Sequence, residues 1–195
     1  GMALGAKYEN KNLRVYTATG DGEIQEGQIW EALMFAAHYK LDNLCVIVDN
    51  NNLQIDGEVS KVMSPYPIDE KLKAFGFEVI CIDGHSFDEI EAAFEKAKTV
   101  KGRPTAIIAK TVKGKGVSFM ENQASWHGTA PNGEQYETAM SELKAQGHAI
   151  LLISEELPEL IGMCDEILVM KDGKVTQSFK RSENLSEQQI IEYMI

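Results

Sequence analysis

Four short runs, residues 13–19, 44–49, 77–82 and 105–110, are nearly continuous in hydrophobicity and rich in Val, Ile and Thr. A strand with one wet face alternates apolar and polar positions, whereas an unbroken apolar run belongs to a strand covered on both faces. Segments of helical period lie between the runs. Phe87, Ile90, Ala93, Phe94 and Ala97 form one stripe, with Asp88, Glu89, Glu91, Glu95 and Lys98 on the opposite side. Ile29, Leu33, Ala36 and Ala37 form another, in a segment that opens with Glu23 and Glu26 and closes with His38 and Lys40, the charge order a helix dipole favours. Strands alternating with helices predict an α/β fold, a mostly parallel sheet flanked by helices.

The chain is 195 residues long, 44% hydrophobic and 25% charged, within the range of soluble globular proteins. One domain, or one domain with an appendage, fits that length. No apolar run approaches the roughly 18 residues of a membrane helix, and no basic stretch followed by an apolar one opens the sequence. The expectation is a cytoplasmic protein that does not enter a membrane. A net charge of −11 argues against a non-specific nucleic-acid binder, which needs a basic face. A bound diphosphate would need a metal or backbone N–H groups to offset it. Cys45, Cys81 and Cys164 lie in or beside apolar stretches without CxxC spacing and are expected to be reduced core residues.

Residues 2–7 read as the end of a helix without its beginning. A new segment opens near Gln146: strand-like residues 149–153, helix-like residues 155–162, then two apolar runs, 167–170 and 175–179, around Lys171-Asp172-Gly173-Lys174. Asp-Gly between alternating runs is a hairpin signal. The expected division is therefore 1–145 and 146–195, the second part a strand, helix and hairpin that either extends the edge of the sheet through residues 149–153, the favoured arrangement, or folds as a satellite.

The stretch richest in chemistry runs from Gly20-Asp21-Gly22-Glu23, after the first strand, to Asn50-Asn51-Asn52-Leu53, after the second. Ligands of open α/β sheets gather outside the carboxyl ends of the strands. Asp21 offers a hard anionic oxygen, Asn51 an amide oxygen and Leu53 a carbonyl. With two diphosphate oxygens and a water, these would complete the sixfold shell Mg²⁺ prefers. Gly20 and Gly22 would let backbone approach phosphates closely, and the helix that follows would aim its N-terminus at the same anion. The same compositions also serve in ordinary turns.

Gly20-Asp21-Gly22-Glu23-Ile24-Gln25-Glu26-Gly27-Gln28, with Asn51 and Gln54-Ile55-Asp56-Gly57, resembles the signature of the transketolase family's diphosphate-binding domain. Leu41-Asp42-Asn43-Leu44, Gly84-His85, Lys113-Gly114-Lys115-Gly116 and Ser125-Trp126-His127-Gly128 continue the likeness, which covers about residues 1–145. The resemblance implies thiamin diphosphate and Mg²⁺ as cofactors, and two-carbon ketol transfer between sugar phosphates. It implies Asp21, Asn51 and the Leu53 carbonyl as metal ligands, and Gly20, Gly22, Glu23, Ile55 and Lys113 beside the cofactor. His127 matches the family histidine that reaches diphosphate and substrate. Glu26 and Glu31 match acidic positions that link paired active sites across the family's dimer. His38 and His85 are read as structural.

No part of the sequence resembles the family's pyrimidine-binding domain or its earlier histidine-bearing segment. The resemblance therefore implies a truncated piece, inactive alone, that needs a pyrimidine-domain subunit or a homo-oligomer. From about residue 147, Ala149 to Leu160, Met163-Cys164-Asp165-Glu166-Ile167 and Val169-Met170-Lys171-Asp172-Gly173-Lys174 resemble the C-terminal end of a sugar-importer ABC ATPase. The chain lacks the GxxxxGK[ST] loop that cradles nucleotide phosphates. The expectation is a fusion of two pieces without ATPase activity; the alternative is a catalytically silent oligomerisation module.

Overall fold

The computed structural model describes residues 1–147, 149, 151–153, 156–182 and 184–194. They divide into two units, Gly1–Gln146 and Gly147–Ile195. The first unit runs α1 (Met2–Tyr8), β1 (Val15–Gly20), a 3-10 turn (Glu23–Gln25), α2 (Gly27–His38), β2 (Leu44–Asn50), β3 (Leu53–Gln54), β4 (Gly57–Glu58), α3 (Val59–Val62), α4 (Ile68–Ala74), β5 (Glu78–Asp83), α5 (Phe87–Thr99), β6 (Thr105–Lys110), a second 3-10 turn (Ala124–Trp126) and α6 (Gly133–Ala145). All four long strands lie within a residue or two of the runs that predicted them. They form one parallel sheet in the order β1-β2-β6-β5, in continuous register from Val15 opposite Leu44 through Cys45 opposite Thr105.

The period of two along a strand divides its side chains between two layers. Val46, Val48, Ala106 and Ile108 pack with Leu33 and Ala36 of α2 and with Ile68 and Leu72 of α4. Cys45 and Ile107 face the other way, against Ala93 and Ala97 of α5. Each fully enclosed aliphatic side chain such as Ile107 contributes roughly 1.5–3 kcal/mol. α5 is capped at its start by Ser86, whose hydroxyl accepts the Glu89 N–H. That satisfies one orphan donor of the first turn.

The cysteines divide. Cys45 is wholly buried, and burial pushes its thiol up to about 11. Cys81 is exposed, unlike the expected core residue, because β5 is an edge of the sheet. All three cysteines are free.

The second unit consists of α7 (Leu157–Met163), β7 (Glu166–Lys171), β8 (Lys174–Lys180) and α8 (Glu187–Ile191). β7 and β8 form the expected hairpin, with both Asp172 and Gly173 at positive φ, as a two-residue primed turn requires. Ile167, Val169 and Ile190 are its core. The expected tail strand differs. Ile150 lies outside the described residues, and residues 149 and 151–153 form no strand. Leu151 and Ile153 are 84% and 88% exposed. An apolar run becomes a strand only when a neighbour takes up its backbone groups, and apolar composition does not supply one.

Candidate functional site at the carboxyl ends of β1 and β2

Asp21 follows β1, and its backbone N–H donates to the Asp49 carbonyl at 3.0 Å, so the strand ladder holds it in place. Its side chain is buried, with 1% of the residue exposed. Asn52 has a left-handed backbone, φ 60°, a conformation asparagine tolerates better than most residues. That turn brings its N–H 2.5 Å from Asp21 Oδ2. The Asn52 carbonyl accepts the Val59 N–H at 2.9 Å, and its side-chain oxygen accepts the Ser60 N–H at 3.0 Å. One residue thus ties the loop after β2 to the start of α3. Asn51 Oδ1 accepts the Leu53 N–H at 2.9 Å, a local turn that occupies one of the amide oxygen's two lone pairs.

The Tyr66 hydroxyl stands 2.6 Å from Asn50 Oδ1 and 3.1 Å from Asp21 Oδ2. Burial raises the Asp21 carboxyl above its ordinary value, and the Asp49 charge adds a little. The Asn52 N–H, the Tyr66 hydroxyl and the Gly22 N–H oppose the rise. Burial, then the charge of Asp21, pushes the Tyr66 phenol upward, so it stays a protonated donor at neutral pH.

Among the described residues no ammonium or guanidinium pairs with Asp21. A buried carboxylate answered only by dipoles is costly, and a bound cation would offset that cost. The described residues contain no cluster of three or more His, Cys, Asp or Glu suited to a metal. One carboxylate, one amide oxygen and one carbonyl are instead the hard, oxygen-only donors a phosphate-bridging Mg²⁺ uses. The residues present therefore fit the group the sequence implies.

The other expected positions behave differently. A Cβ on Gly22 would stand 2.9 Å from Gln54 Cβ, so the missing side chain there makes room for β3. Gly20 is not crowded, and its N–H donates to Glu23 Oε2 at 3.1 Å. The 3-10 turn separates Asp21 from α2, so the helix does not begin directly behind the loop. Ile55 is 69% exposed at the tip between β3 and β4. Glu26 and Glu31 are exposed.

Lys113 opens a glycine-rich loop after β6. A Cβ on Gly114, φ +70°, would fall 2.6 Å from Met120 Cβ, so only glycine fits there. Lys113 Nζ lies 3.4 Å from His127 Nδ1, which brings together two residues the sequence singled out 14 positions apart. An ammonium can only donate, so this contact forms with Nδ1 as acceptor and the ring hydrogen on Nε2. Trp126 anchors His127: its indole N–H donates to the Phe119 carbonyl at 3.0 Å, and its ring lies against Phe119. No hydrogen bond among the described residues joins this pair to Asp21, Asn51 or Leu53. His85 Nε2 accepts the Val112 N–H at 2.8 Å and holds the same loop from the other side.

A cleft of about 760 Å³ opens beside the network, lined by Asn50, Tyr66, Cys81, His85, Lys110 and Lys115 among others. It shares Asn50 and Tyr66 with the Asp21 cluster, whereas Asp21, Asn51 and Leu53 lie outside its wall. Sequence reasoning missed Tyr66, Asn50 and the Asn52 N–H. One signal was present, since two of the chain's five prolines, Pro65 and Pro67, flank Tyr66.

The family described as "Transketolase, thiamine diphosphate binding domain" matches residues 5–162. Among curated proteins, the 6-deoxy-6-sulfo-D-fructose transketolase subunit SqwG of a Clostridium species is 43% identical over 147 residues, 75% of this chain and 54% of that protein. An apulose-4-phosphate transketolase subunit of Actinobacillus succinogenes is 41% identical over 144 residues, 74% of this chain and 52% of its own length. Human transketolase is 43% identical over 150 residues, 75% of this chain and 23% of the human protein. The crystal structure of Campylobacter jejuni transketolase superposes with a TM-score of 0.69 at 34% identity, covering 73% of this chain and 23% of that one. The chain thus spans about half the length of the first two relatives and about a quarter of the long transketolases.

Proposed function

The chain belongs to the transketolase thiamine diphosphate binding domain family, and from that premise we propose that it holds thiamin diphosphate through Mg²⁺ for ketol transfer between sugar phosphates. The observation that carries this reading is Asp21, a buried carboxylate without a cationic partner among the described residues, tied by the Asn52 N–H to the loop that carries Asn51 and Leu53. Asp21, Asn51 Oδ1 and the Leu53 carbonyl would hold the metal. Gly20, Gly22, Glu23, Ile55 and Lys113 would border the cofactor. When bound, thiamin diphosphate supplies the electron sink that lets a carbon–carbon bond next to a carbonyl break. His127, with Nε2 as donor, would hold a hydrogen bond toward a phosphate or sugar hydroxyl. Lys113 keeps the ring in that tautomer.

The chain alone is proposed to be inactive. Two of its relatives carry "subunit" in their names, which supports a complementary pyrimidine-binding subunit, with a homo-oligomer as the other form. Among the described residues no helix is long and apolar enough to cross a membrane; a cytoplasmic location is part of the proposal. Residues 146–195 are proposed to be an ABC-ATPase-like appendage joined to a diphosphate-binding domain at 1–145, although the family match itself continues to residue 162.

Thermal unfolding with and without Mg²⁺ and thiamin diphosphate tests the reading. A ligand that binds only the folded state raises stability by about 2.7 kcal/mol at a hundredfold excess over Kd. The expected result is a rise that requires both metal and diphosphate. No rise, with or without a complementary subunit, would favour the silent oligomerisation module.

A further inference from the structure

We infer that Tyr66 is a positioning residue, whose hydroxyl fixes the Asp21 carboxylate for metal binding from a separate stretch of the chain. The inference rests on the Mg²⁺ and diphosphate reading above and goes beyond it. Asp21 Oδ2 receives two donors, the Asn52 N–H at 2.5 Å and the Tyr66 hydroxyl at 3.1 Å. Both act on the same oxygen, and with the Gly22 N–H, a third donor to the carboxylate, they set its rotation. The first donor comes from the loop that would itself carry metal ligands and moves with it. The second comes from 45 residues away.

The place of the hydroxyl is set independently of that loop. The Tyr66 ring packs on the larger hydrophobic core. Pro65 and Pro67 restrict the backbone on both sides. The Lys71 ammonium donates to the Pro65 carbonyl and sits 5.9 Å above the Trp30 ring. The same hydroxyl reaches Asn50 Oδ1 at 2.6 Å and has one proton for two acceptors, so it shares that proton between the ends of β1 and β2. Mg²⁺ demands near-ideal octahedral geometry, and a carboxylate free to rotate would meet that demand less often.

The experiment titrates Mn²⁺, in the presence of thiamin diphosphate, into the full chain and into Tyr66→Phe, reading free Mn²⁺ by electron paramagnetic resonance. Thermal unfolding without metal is recorded beside it. Phe keeps the packed ring and removes only the donor. Loss of an outer partner of a metal ligand weakens metal binding by about tenfold or more, and that loss is expected here with the metal-free midpoint little changed. Thr111→Val removes a neighbouring hydrogen bond, from Thr111 Oγ1 to Asp49 Oδ1, and should bind Mn²⁺ as the wild type does. Wild-type affinity in Tyr66→Phe overturns the inference and leaves the proposed function standing. Equal weakening in both variants assigns the effect to loosened strand ends and also overturns it, as does a Tyr66→Phe chain that no longer folds without metal. A wild-type chain that binds no Mn²⁺, with or without a complementary subunit, overturns the metal reading and the inference together.

Discussion

At the scale of the residue, Asp21 is where the demands of folding and of ligand binding oppose each other. Burial raises its carboxyl above the ordinary 3.8, so the folded chain holds that proton more tightly than the unfolded chain does. The stability this provides is complete below 3.8 and is lost as pH rises through the raised value. Above that raised value the metal-free protein carries a destabilising charge. Asp21→Asn preserves the shape and removes that charge. It should stabilise the metal-free chain by on the order of 1 kcal/mol, the common size of a single-site effect, and abolish the response to Mg²⁺ and thiamin diphosphate. Chemical denaturation at neutral pH, with and without the ligands, measures both. A variant that loses stability and still responds to Mg²⁺ would remove Asp21 from the ligand set.

At the scale of the element, α6 is tied to the loop after β6 by the Glu142 carboxylate, and at its end by the Gln146 side chain, which donates to the Gly116 carbonyl at 2.8 Å. Glu142 accepts the Ser118 N–H at 2.6 Å and the Ser118 hydroxyl at 2.7 Å, and these bonds hold its pKa below the ordinary 4.5. A depressed carboxylate contributes stability that is full above its unfolded value and lost as pH falls through its folded one. The Ser118 amide should thus exchange slowly at neutral pH and lose its protection in acid. Glu142→Gln should show the weaker protection at every pH, as hydrogen exchange read by NMR would reveal. The elements themselves were largely legible in the sequence: a buried parallel strand declares itself by an unbroken apolar run, and α5 by its period. The candidate metal donors Asp21, Asn51 and Leu53 were legible as a motif at two strand ends. Tyr66 was not, because its partner lies 45 residues away and no local period encodes that contact. Nor was the role of Gly22, whose missing Cβ serves Gln54. Residues 149 and 151–153 form no strand: hydrophobicity marks a candidate strand without naming its neighbour.

At the scale of the whole molecule, the chain has separate cores. Ile190 is 1% exposed and closes the core that Ile167 and Val169 share with it. Ile190→Ala should cost about 2–5 kcal/mol, read as faster exchange of the Val169 amide, while the Val48 amide in the parallel sheet keeps its protection. The parallel sheet has a further consequence. Among the described residues β1 is paired on one side only, by β2. Its sequence, Val15-Tyr16-Thr17-Ala18-Thr19-Gly20, contains no lysine or proline of the kind that blunts exposed edges, and Tyr16 is exposed. In colloidal terms this edge would be an adhesive seam on an otherwise acidic, self-repelling chain. How concentrated such a solution can become before it clouds depends on which prevails, the repulsion of the whole surface or the adhesion of that one seam.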